Sequence, residues 1–468
     1  MPGEFLNPAP GKSYAPVSEL MDPEYDHRFF VDGTPTIGDV YINNQWSTLL
    51  LGTTGVGGRT VFALDVTDPE SFSSDDVLWE FTDSDLGRGV SDAQIVRLDN
   101  GKWAAVFGNG YNSTSHEATL FVVDIETGGL ISKITTGEGD VTEPNGLAAP
   151  AIMVDPRSGV ALRAYAGDLQ GNVWRFGLGG SKNAALLFEA SDETGTPQPI
   201  TAAPRLAYVP GGSISEVVVL FGTGAYFRVG DKSDVQVQSL YGIYDNGKVS
   251  SIDRDDLLEQ QLTNLGTVEY SVDTGATSEV QQLKVRSVSN HSLGKSDKGW
   301  VLDLDTSAGE RVISPADFPS GYPVKRVRFS TLIPENNACG SGQTGCVLDI
   351  DLKTGGKTDD HVFDLNRDGR YDLGDAAESD IVNGVCNVTS GERLTVISEN
   401  GNDRLLDSEI QEVDDDYDGP IVDPDPDPGD PDDPDDPDDP QPGPPCTGPL
   451  CIEGNDMGFG RQNWEELR

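Results

Sequence analysis

A repeat with a period slightly above fifty residues is the feature that most constrains the fold of this chain. A turn that leads into an apolar strand recurs as TPTI, DAQI, APAI and APRL, and its aliphatic residues are Ile37, Ile95, Ile152 and Leu206. A second apolar run ends each time in a glycine, at Gly52, Gly108, Gly167 and Gly222. The intervals are 58, 57 and 54 residues in the first series and 56, 59 and 55 in the second. Four successive segments are therefore copies of one structural unit.

Each unit carries the strands of one sheet. A third apolar run follows the glycine in TVFALDV, TLFVVDI, NVWRFGL and SLYGIYD, and later in GWVLDL and CVLDIDL. A fourth run, VLWEF or LISKI, completes the first two units. Four short strands per unit are typical of the blades of a β-propeller, which stack to bury their faces. We predict an all-β fold, a β-propeller with six or seven units between residues 30 and 405; a pair of β-sandwiches is the structural alternative.

The charge of the chain restricts its partners. The formal net charge is −47 over 468 residues, which disfavours nucleic acid and anionic membrane surfaces and favours cations. No stretch approaches the roughly 18 apolar residues that a membrane-spanning helix needs. The start, MPGEFLNPAP, lacks the basic and apolar regions of a signal peptide. We interpret residues 1–26 as a leading segment, partly vector-derived, that does not decide the native compartment.

All five cysteines lie late in the chain, at Cys339, Cys346, Cys386, Cys446 and Cys451. The short spacings predict two local disulfides, Cys339–Cys346 and Cys446–Cys451, with Cys386 left over. Such bonds suit an oxidising compartment. The alternative is a set of unrelated reduced thiols in a cytosolic protein.

The C-terminal region is rich in aspartate and proline. Residues 403–440 contain 18 acidic residues and one basic residue, so this segment carries −17 of the net charge and the rest carries −30. We predict a disordered acidic linker over 414–445, because it has too few apolar residues to form a core. The segment Asp414–Gly419 begins like a calcium loop, but we interpret it as part of this linker. Cysteine and apolar residues return in 446–468, which we predict to be a terminal element.

One short stretch, DLNRDGRYDLGD, matches a calcium-binding loop. Asp364, Asn366 and Asp368 occupy positions one, three and five of the pattern D-x-[DN]-x-[DN]-G, and glycine makes the turn at position six. Arg370 would contribute its main-chain carbonyl, and Asp372 lies at position nine. Water or the aspartate at 375 would complete the shell of oxygen ligands. We predict Ca²⁺ rather than Mg²⁺, with the propeller supplying the rigidity that two helices supply elsewhere; the alternative is an acidic turn that only solvates its charges.

Catalytic signatures are scarce. The four histidines, His27, His116, His291 and His361, show no metal-ligand spacing, and no nucleophile or phosphate-binding motif occurs. The segment GDLQGNVWRF makes a quinoprotein dehydrogenase the enzymatic rival, although no two cysteines adjoin. We predict a non-enzymatic protein.

An ordered set of motifs carries a resemblance to a known family. HRFFVDGTPTIGDV, WSTLLLGTTGVGGRTVFALDVTDP, GKWAAVFGNGYNSTS, LFVVDIETGGLISKITTG, NGLAAPAIMVD and AYAGDLQGNVWRFGL resemble the C-terminal propeller of the PilC/PilY proteins, the tip-associated adhesins and biogenesis factors of type IV pili. The resemblance extends from about residue 27 to about residue 375, and RQNWEEL resembles the end of that family. It implies a modified seven-bladed propeller, over 27–413 here, that follows a variable adhesive region and is exported through a signal peptide.

The resemblance also implies a function. The family has a nine-residue calcium loop, DxNxDGxxD, which residues 364–372 match position by position. A calcium-binding protein is expected that regulates pilus biogenesis, extension and retraction, and adhesion or twitching motility. Its partners would be major or minor pilins and host-surface ligands, and it would pass through the periplasm to the outer surface. A structural or carbohydrate-binding secreted propeller remains the non-enzymatic alternative.

Overall fold

The computed structural model describes most of the chain up to residue 406. The described residues are 1–8, 15–21, 25, 29–180, 182–208, 216–248, 251–273, 278–319, 324–334, 343–366, 370–377, 379–386, 395–399 and 402–406. The predicted linker over 414–445 and the predicted terminal element over 446–468 lie outside these residues, as does the cysteine pair within the latter.

The first three repeats each form a four-stranded antiparallel sheet, and we call these sheets blades one to three. Blade one contains β1 (Thr36–Ile42), β2 (Gln45–Thr53), β3 (Val61–Asp65) and β4 (Val77–Phe81). Blade two contains β5 (Gln94–Arg97), β6 (Trp103–Gly108), β7 (Thr119–Asp124) and β8 (Leu130–Thr135). Blade three contains β9 (Ala151–Val154), β10 (Ala161–Gly167), β11 (Asn172–Gly177) and β12 (Ala184–Glu189). Each strand follows its neighbour in sequence, as the repeat predicts.

The later sheets are assembled from more distant segments. The strands after blade three are β13 (Arg205–Tyr208), β14 (Val217–Gly222), β15 (Ser239–Asp245), β16 (Leu258–Gln260), β17 (Leu262–Asp273), β18 (Ser278–Val288), β19 (Gly299–Asp303), β20 (Arg326–Ser330), β21 (Ile333–Pro334), β22 (Gln343–Thr344), β23 (Cys346–Asp351), β24 (Gly384–Cys386), β25 (Thr395–Glu399) and β26 (Asn402–Leu406). Blade four has the order β13-β14-β15-β19-β16, and blade five has the order β17-β18-β24-β23-β20. Two further pairs, β21-β22 and β25-β26, are two-stranded.

Two strands differ from their predicted positions. GWVLDL was expected to be a third strand, but its strand β19 takes the fourth place of blade four beside β15, and β16 adds to it in parallel. CVLDIDL was also expected to be a third strand, but β23 takes the fourth place of blade five, beside the edge strand β20. The described residues form five sheets of four or five strands, so the all-β propeller is confirmed and the number seven stays a prediction.

Helical structure is brief in the described residues. It comprises one α-helix, α1 (Gly3–Leu6), and the 3₁₀ turns Pro16–Met21, Pro69–Ser71, Ser74–Asp76, Val229–Ser233, Arg254–Asp256 and Leu373–Asp375. In the part of the chain that the structure describes, no helix has the length and apolar character needed to cross a bilayer.

The hydrophobic core lies between consecutive sheets. Leu49 and Val61 of blade one pack in one cluster with Phe107 and Phe121 of blade two. Analogous clusters join blade two to three, three to four and four to five. The runs TLFVVD and VVVLFG are buried at every position, because a central strand of a stacked sheet is covered on both faces. Stacking therefore explains why these runs are continuously apolar.

The repeated glycines allow close approach of the next blade. A Cβ on Gly108 would lie 2.1 Å from the carbonyl oxygen of Ala148, and a Cβ on Gly222 would lie 2.5 Å from Cβ of Val312. These contacts come from the segments that lead into blades three and five. Any larger residue at either glycine would push the neighbouring segment away.

A buried polar residue follows the glycine in blades two, three and four. These residues are Asn109, Asp168 and Thr223. The Oδ1 of Asn109 accepts hydrogen bonds from the N–H of Thr119 in its own blade, at 3.1 Å, and from the N–H of Leu147 in the next, at 3.0 Å. The same side chain thus closes the turn between two strands and fixes the neighbouring blade.

Main-chain hydrogen bonds also join consecutive blades just after the second strand of each blade. They are Gly89 N–H to Gly55 O (2.7 Å), Gly110 N–H to Leu147 O (3.0 Å), Ile200 N–H to Asp168 O (2.9 Å) and Val312 N–H to Thr223 O (2.9 Å). One such bond is present at each of the four junctions between blades one and five. The repeat in the sequence is therefore a repeat of this junction.

The cysteine pairing differs from the prediction. Cys346 forms a disulfide with Cys386, whereas the sequence predicted a bond from Cys346 to Cys339 with Cys386 left over. Cys346 and Cys386 lie directly opposite each other on the adjacent strands β23 and β24, and both are buried. The sheet brings them together across 40 residues of sequence, which spacing alone could not indicate. Cys339 lies outside the described residues.

Replacement of Asp168 by alanine is expected to lower the free energy of unfolding by about 3 kcal/mol or more. Its carboxylate accepts hydrogen bonds from Asn145 Nδ2, Gln170 N, Asn172 N, Asn172 Nδ2 and Trp174 Nε1. The substitution would leave these donors without an acceptor. Urea unfolding measures the change. Asp155→Ala, which removes a half-buried turn aspartate bonded to Arg157 N and Ser158 Oγ, is the control and should cost about 1 kcal/mol or less; equal effects would contradict the role given to Asp168.

Peptide mapping under non-reducing conditions should find Cys346 linked to Cys386. Conversion of both residues to serine is expected to lower the free energy of unfolding by about 4 kcal/mol, because the bond closes a loop of 40 residues and constrains the unfolded chain. Calorimetric or denaturant unfolding of the oxidised protein and the double variant tests this. A bond between Cys339 and Cys346 would contradict the pairing.

Candidate functional site

The predicted calcium loop lies in the connection between β23 and β24 of blade five. This connection extends from residue 352 to residue 383 and returns the chain to the centre of the sheet. The loop segment is thus part of an inter-strand connection. Loops of this kind carry function on a rigid scaffold in many proteins.

Asp375 holds the two ends of the loop together. It is buried, and its Oδ1 accepts the N–H groups of Leu365 and Asn366 at 2.6 and 3.2 Å. Its Oδ2 accepts the N–H of Asp372 at 3.1 Å. A carboxylate that receives three main-chain donors fixes the backbone around it. The sequence analysis offered Asp375 or a water as the group that completes the calcium shell, whereas in the structure its carboxylate accepts three main-chain N–H groups and positions the loop.

Asn366 and Asp372 meet on one side of the loop. The Oδ1 of Asp372 accepts the N–H of Gly374 at 2.8 Å and caps the turn Leu373–Asp375. A Cβ on Gly374 would lie 2.6 Å from Nδ2 of Asn366 and 3.1 Å from Oδ1 of Asp372. The side chains at positions three and nine therefore converge, and Gly374 is required for this close approach.

The other predicted ligands are only partly described. Asp364 is partly buried and Arg370 is exposed at the surface, while Asp368 lies outside the described residues. Among the residues that are described, no three His, Cys, Asp or Glu side chains gather as a metal site. The predicted donor set also includes the amide oxygen of Asn366 and the main-chain carbonyl of Arg370. The donor set of carboxylate, amide and carbonyl oxygens fits calcium by its chemistry.

A hydrophobic cluster packs against the loop and anchors it to blade five. Leu365, between two of the predicted ligands, is 1% exposed and packs in one cluster with Phe363, Ala377 and the hairpin residues Tyr270 and Leu283. Burial, and then the charge of Asp375, raise the pKa of Tyr270 to about 12. Sequence reasoning missed this contact with the β17-β18 hairpin. The apolar residues Val362, Phe363 and Leu365, immediately before and within the acidic loop, could have indicated that the loop packs on a hydrophobic cluster.

Buried ionic groups elsewhere have structural partners. Arg175 bonds Asp245 at 2.7 Å, and the hydroxyl of Tyr165 donates to the same carboxylate at 2.6 Å. Arg286 pairs with Glu310 at 2.8 Å. Burial first, and the Asp245 charge second, raise the pKa of Tyr165. These groups tie neighbouring strands together, as buried ion pairs with additional hydrogen bonds do.

Comparison with known proteins bears on the fold. A family profile described as the PilY1 beta-propeller domain matches residues 22–185 and 179–274. A type IV pilus biogenesis factor PilY1 homolog of Xylella fastidiosa is 35% identical over 386 residues, which cover 76% of this chain and 25% of that protein. The type IV pilus biogenesis factor PilY1 of Pseudomonas aeruginosa is 34% identical over 404 residues, which cover 76% of this chain and 34% of that protein. The chain thus spans a quarter to a third of the length of these relatives.

A solved structure agrees with the sequence relatives. The crystal structure of the Pseudomonas aeruginosa PilY1 C-terminal domain superimposes with a TM-score of 0.67 and 31% identity. The match covers 81% of this chain and 83% of that domain. The resemblance found in the sequence is confirmed, and this chain belongs to the PilY1 beta-propeller family of type IV pilus biogenesis factors.

Proposed function

We propose that this domain is a calcium-binding, non-enzymatic regulator of type IV pilus biogenesis. The observation that carries the proposal is the loop of residues 364–375, built on blade five and held closed by the buried Asp375. Membership of a pilus biogenesis family supports the cellular role. The fit of the loop's oxygen donors to a hard cation supports the metal.

Five residues would hold the ion. Asp364, Asn366, Asp368 and Asp372 would contribute side-chain oxygens, and Arg370 its main-chain carbonyl. Calcium would supply positive charge that allows three carboxylates to approach one another. Asp375 would remain a positioning residue, because three main-chain N–H groups already occupy its oxygens. We expect a dissociation constant of about 10⁻⁷ to 10⁻⁵ M, the range of sensor sites, since the loop is pre-organised.

The position of the loop supports a regulatory role. It lies on the rigid fifth blade, and its hydrophobic support, through Leu365 and Tyr270, reaches the long β17-β18 hairpin. A change in occupancy would therefore alter both the loop charge and the packing of this hairpin. We propose that the occupied and empty states engage the pilus machinery differently and so affect extension, retraction, twitching motility and adhesion. The partners would be major or minor pilins, with host-surface ligands for the whole protein at the cell exterior.

Other functions have less support. A quinoprotein enzyme would need a cofactor site, and the buried ionic groups described above are engaged in structural pairs. Quinone reconstitution followed by a dye-reduction assay would reveal such an activity.

Calorimetric calcium titration tests the site. Asp368→Ala should abolish binding, and Asp372→Asn should weaken it at least about ten-fold because a charged ligand is lost while an oxygen remains to cap the Leu373–Asp375 turn. Asp359→Asn is the control, since Asp359 is exposed and precedes the loop. Wild-type affinity in both loop variants would exclude this loop as the site.

A second experiment introduces variants of the same loop into the full-length gene and examines the cells. Asp368→Ala should behave as the empty state, and Asp368→Lys should partly imitate the occupied state by placing a positive charge among the carboxylates. Surface piliation and twitching should differ between the two strains. Calcium binding by the purified protein together with unchanged motility in both strains would make the loop structural.

Asp375→Ala separates positioning from ligation. We expect faster amide hydrogen exchange at Leu365, Asn366 and Asp372, because their shared acceptor is lost, with a destabilisation of about 2 to 4 kcal/mol. Exchange should rise even without calcium, as no metal is involved in these bonds. The control is Asp359→Ala, at the same exposed position as in the titration control. Unchanged exchange at the three amides in the calcium-free protein would contradict the positioning role.

A further inference from the structure

Three aromatic side chains, two exposed and one partly buried, form a cluster where blades one and two meet. We call Tyr41, Trp46 and Trp103 the aromatic patch. The Trp46 side chain is 61% exposed and the Tyr41 side chain is 48% exposed. Ring centroids are 5.6 Å apart between Tyr41 and Trp46 and 6.3 Å apart between Trp46 and Trp103, and both pairs have edge-to-face geometry. The patch is remote in sequence from the candidate calcium loop on blade five.

Local stability explains only part of this arrangement. Tyr41 and Trp46 lie opposite each other on β1 and β2, beside a turn at Asn43 and Asn44 with positive φ angles of 51° and 60°. A cross-strand aromatic pair stabilises such a hairpin, and Trp103 packs partly against the core between the blades. Neither role requires the indole of Trp46 to face water. Clustered exposed aromatics are instead typical of recognition surfaces, where tryptophan and tyrosine are enriched.

An acidic segment borders the patch. We call Asp65, Asp68, Glu70, Asp75 and Asp76 the acidic rim, and no lysine or arginine occurs between residues 60 and 87. The rim begins beside the patch, because the Oγ1 of Thr67 accepts the N–H of Thr48, two residues after Trp46, at 3.0 Å. The rim therefore starts next to strand β2, which carries Trp46.

Three of the five rim carboxylates have local hydrogen-bond donors, and no rim carboxylate has a cationic partner in the described part of the chain. Asp65 accepts from the N–H and hydroxyl of Thr67, Asp68 accepts from Ser71, and Asp76 accepts from Ser73. These donors are neutral, so they orient the carboxylates without cancelling their charge. Basic residues elsewhere do form ion pairs, for example Lys102 with Asp124. The rim thus keeps its negative charge.

We infer that the aromatic patch and acidic rim together bind a lysine- or arginine-bearing segment of a partner protein. A cation over the face of an indole is attracted by the ring quadrupole, and its charge is also attracted by the rim. Carbohydrates stack on exposed indoles as well, but a neutral sugar gains nothing from uncompensated carboxylates. The charge of the rim therefore favours a cationic peptide. This surface is independent of the calcium site and extends the function beyond it.

The test uses the whole chain and a synthetic peptide of alternating lysine and glycine. Binding is followed by tryptophan fluorescence and calorimetry at about 0.15 M salt, where screening limits long-range attraction by the net charge. Trp46→Ala leaves the net charge at its wild-type value and should weaken binding about ten-fold or more. The double variant Asp68→Asn and Glu70→Gln should also weaken binding and reduce its salt dependence.

Phe227→Ala is the matched control. Phe227 is 46% exposed and stacks on Tyr111, so it resembles Trp46 in exposure and aromatic contact. It lies beyond the end of the second strand of blade four, whereas Trp46 lies at the start of the second strand of blade one. Its loss should leave peptide binding unchanged. Wild-type affinity in Trp46→Ala, or an equal loss in Phe227→Ala, would overturn the inference. Binding of neutral cellohexaose that depends on Trp46, with no such dependence for the peptide, would overturn it in favour of a carbohydrate surface.

Discussion

The hydrogen bonds between consecutive blades are the constraint on which the rest of this structure depends. At each junction from blade one to blade five, a main-chain amide of one blade meets a carbonyl of its neighbour at the end of the second strand. The preceding glycine leaves room for this approach, and in blade two the side chain of Asn109 bonds both blades. Because the blades are fixed at this level, the apolar faces between them meet in register and form separate, closely packed cores.

The repeat allowed much of the fold to be predicted from the sequence, and the reason it failed later is physical. In blades one to three every strand is followed by its neighbour, so periodicity reports sheet position directly. In blade four the fourth place is filled by β19 and the outermost by β16, which lies earlier in sequence. The sequence pattern of an apolar strand is the same at any position in a stacked sheet. Only pairing with a distant partner distinguishes the places, and local sequence carries no record of that pairing.

For the candidate site, local sequence supports a prediction of the ligand pattern but not of the contacts around it. The ligand pattern from Asp364 to Asp372 predicts a calcium loop, since alternate oxygen donors and a turn glycine are local features, and the calcium site stays a prediction. The role of Asp375 and the support from Tyr270 depend on contacts between segments distant in sequence or on the direction of a side chain. The disulfide was mispredicted for the same reason, because β24 brings Cys386 beside Cys346 only within the folded sheet.

The difference between contiguous and discontinuous sheets has a consequence for how the chain acquires its structure. Blades one to three can each form from an unbroken segment, so they can fold in order as the chain emerges from a ribosome or a membrane channel. Blade four must wait for β19, and blade five must wait for the three residues of β24. Until Cys386 arrives, the strand β18 lacks its partner and exposes a sheet edge. The late C-terminal strand, sealed by its disulfide, is therefore the step that separates a complete domain from an aggregation-prone intermediate.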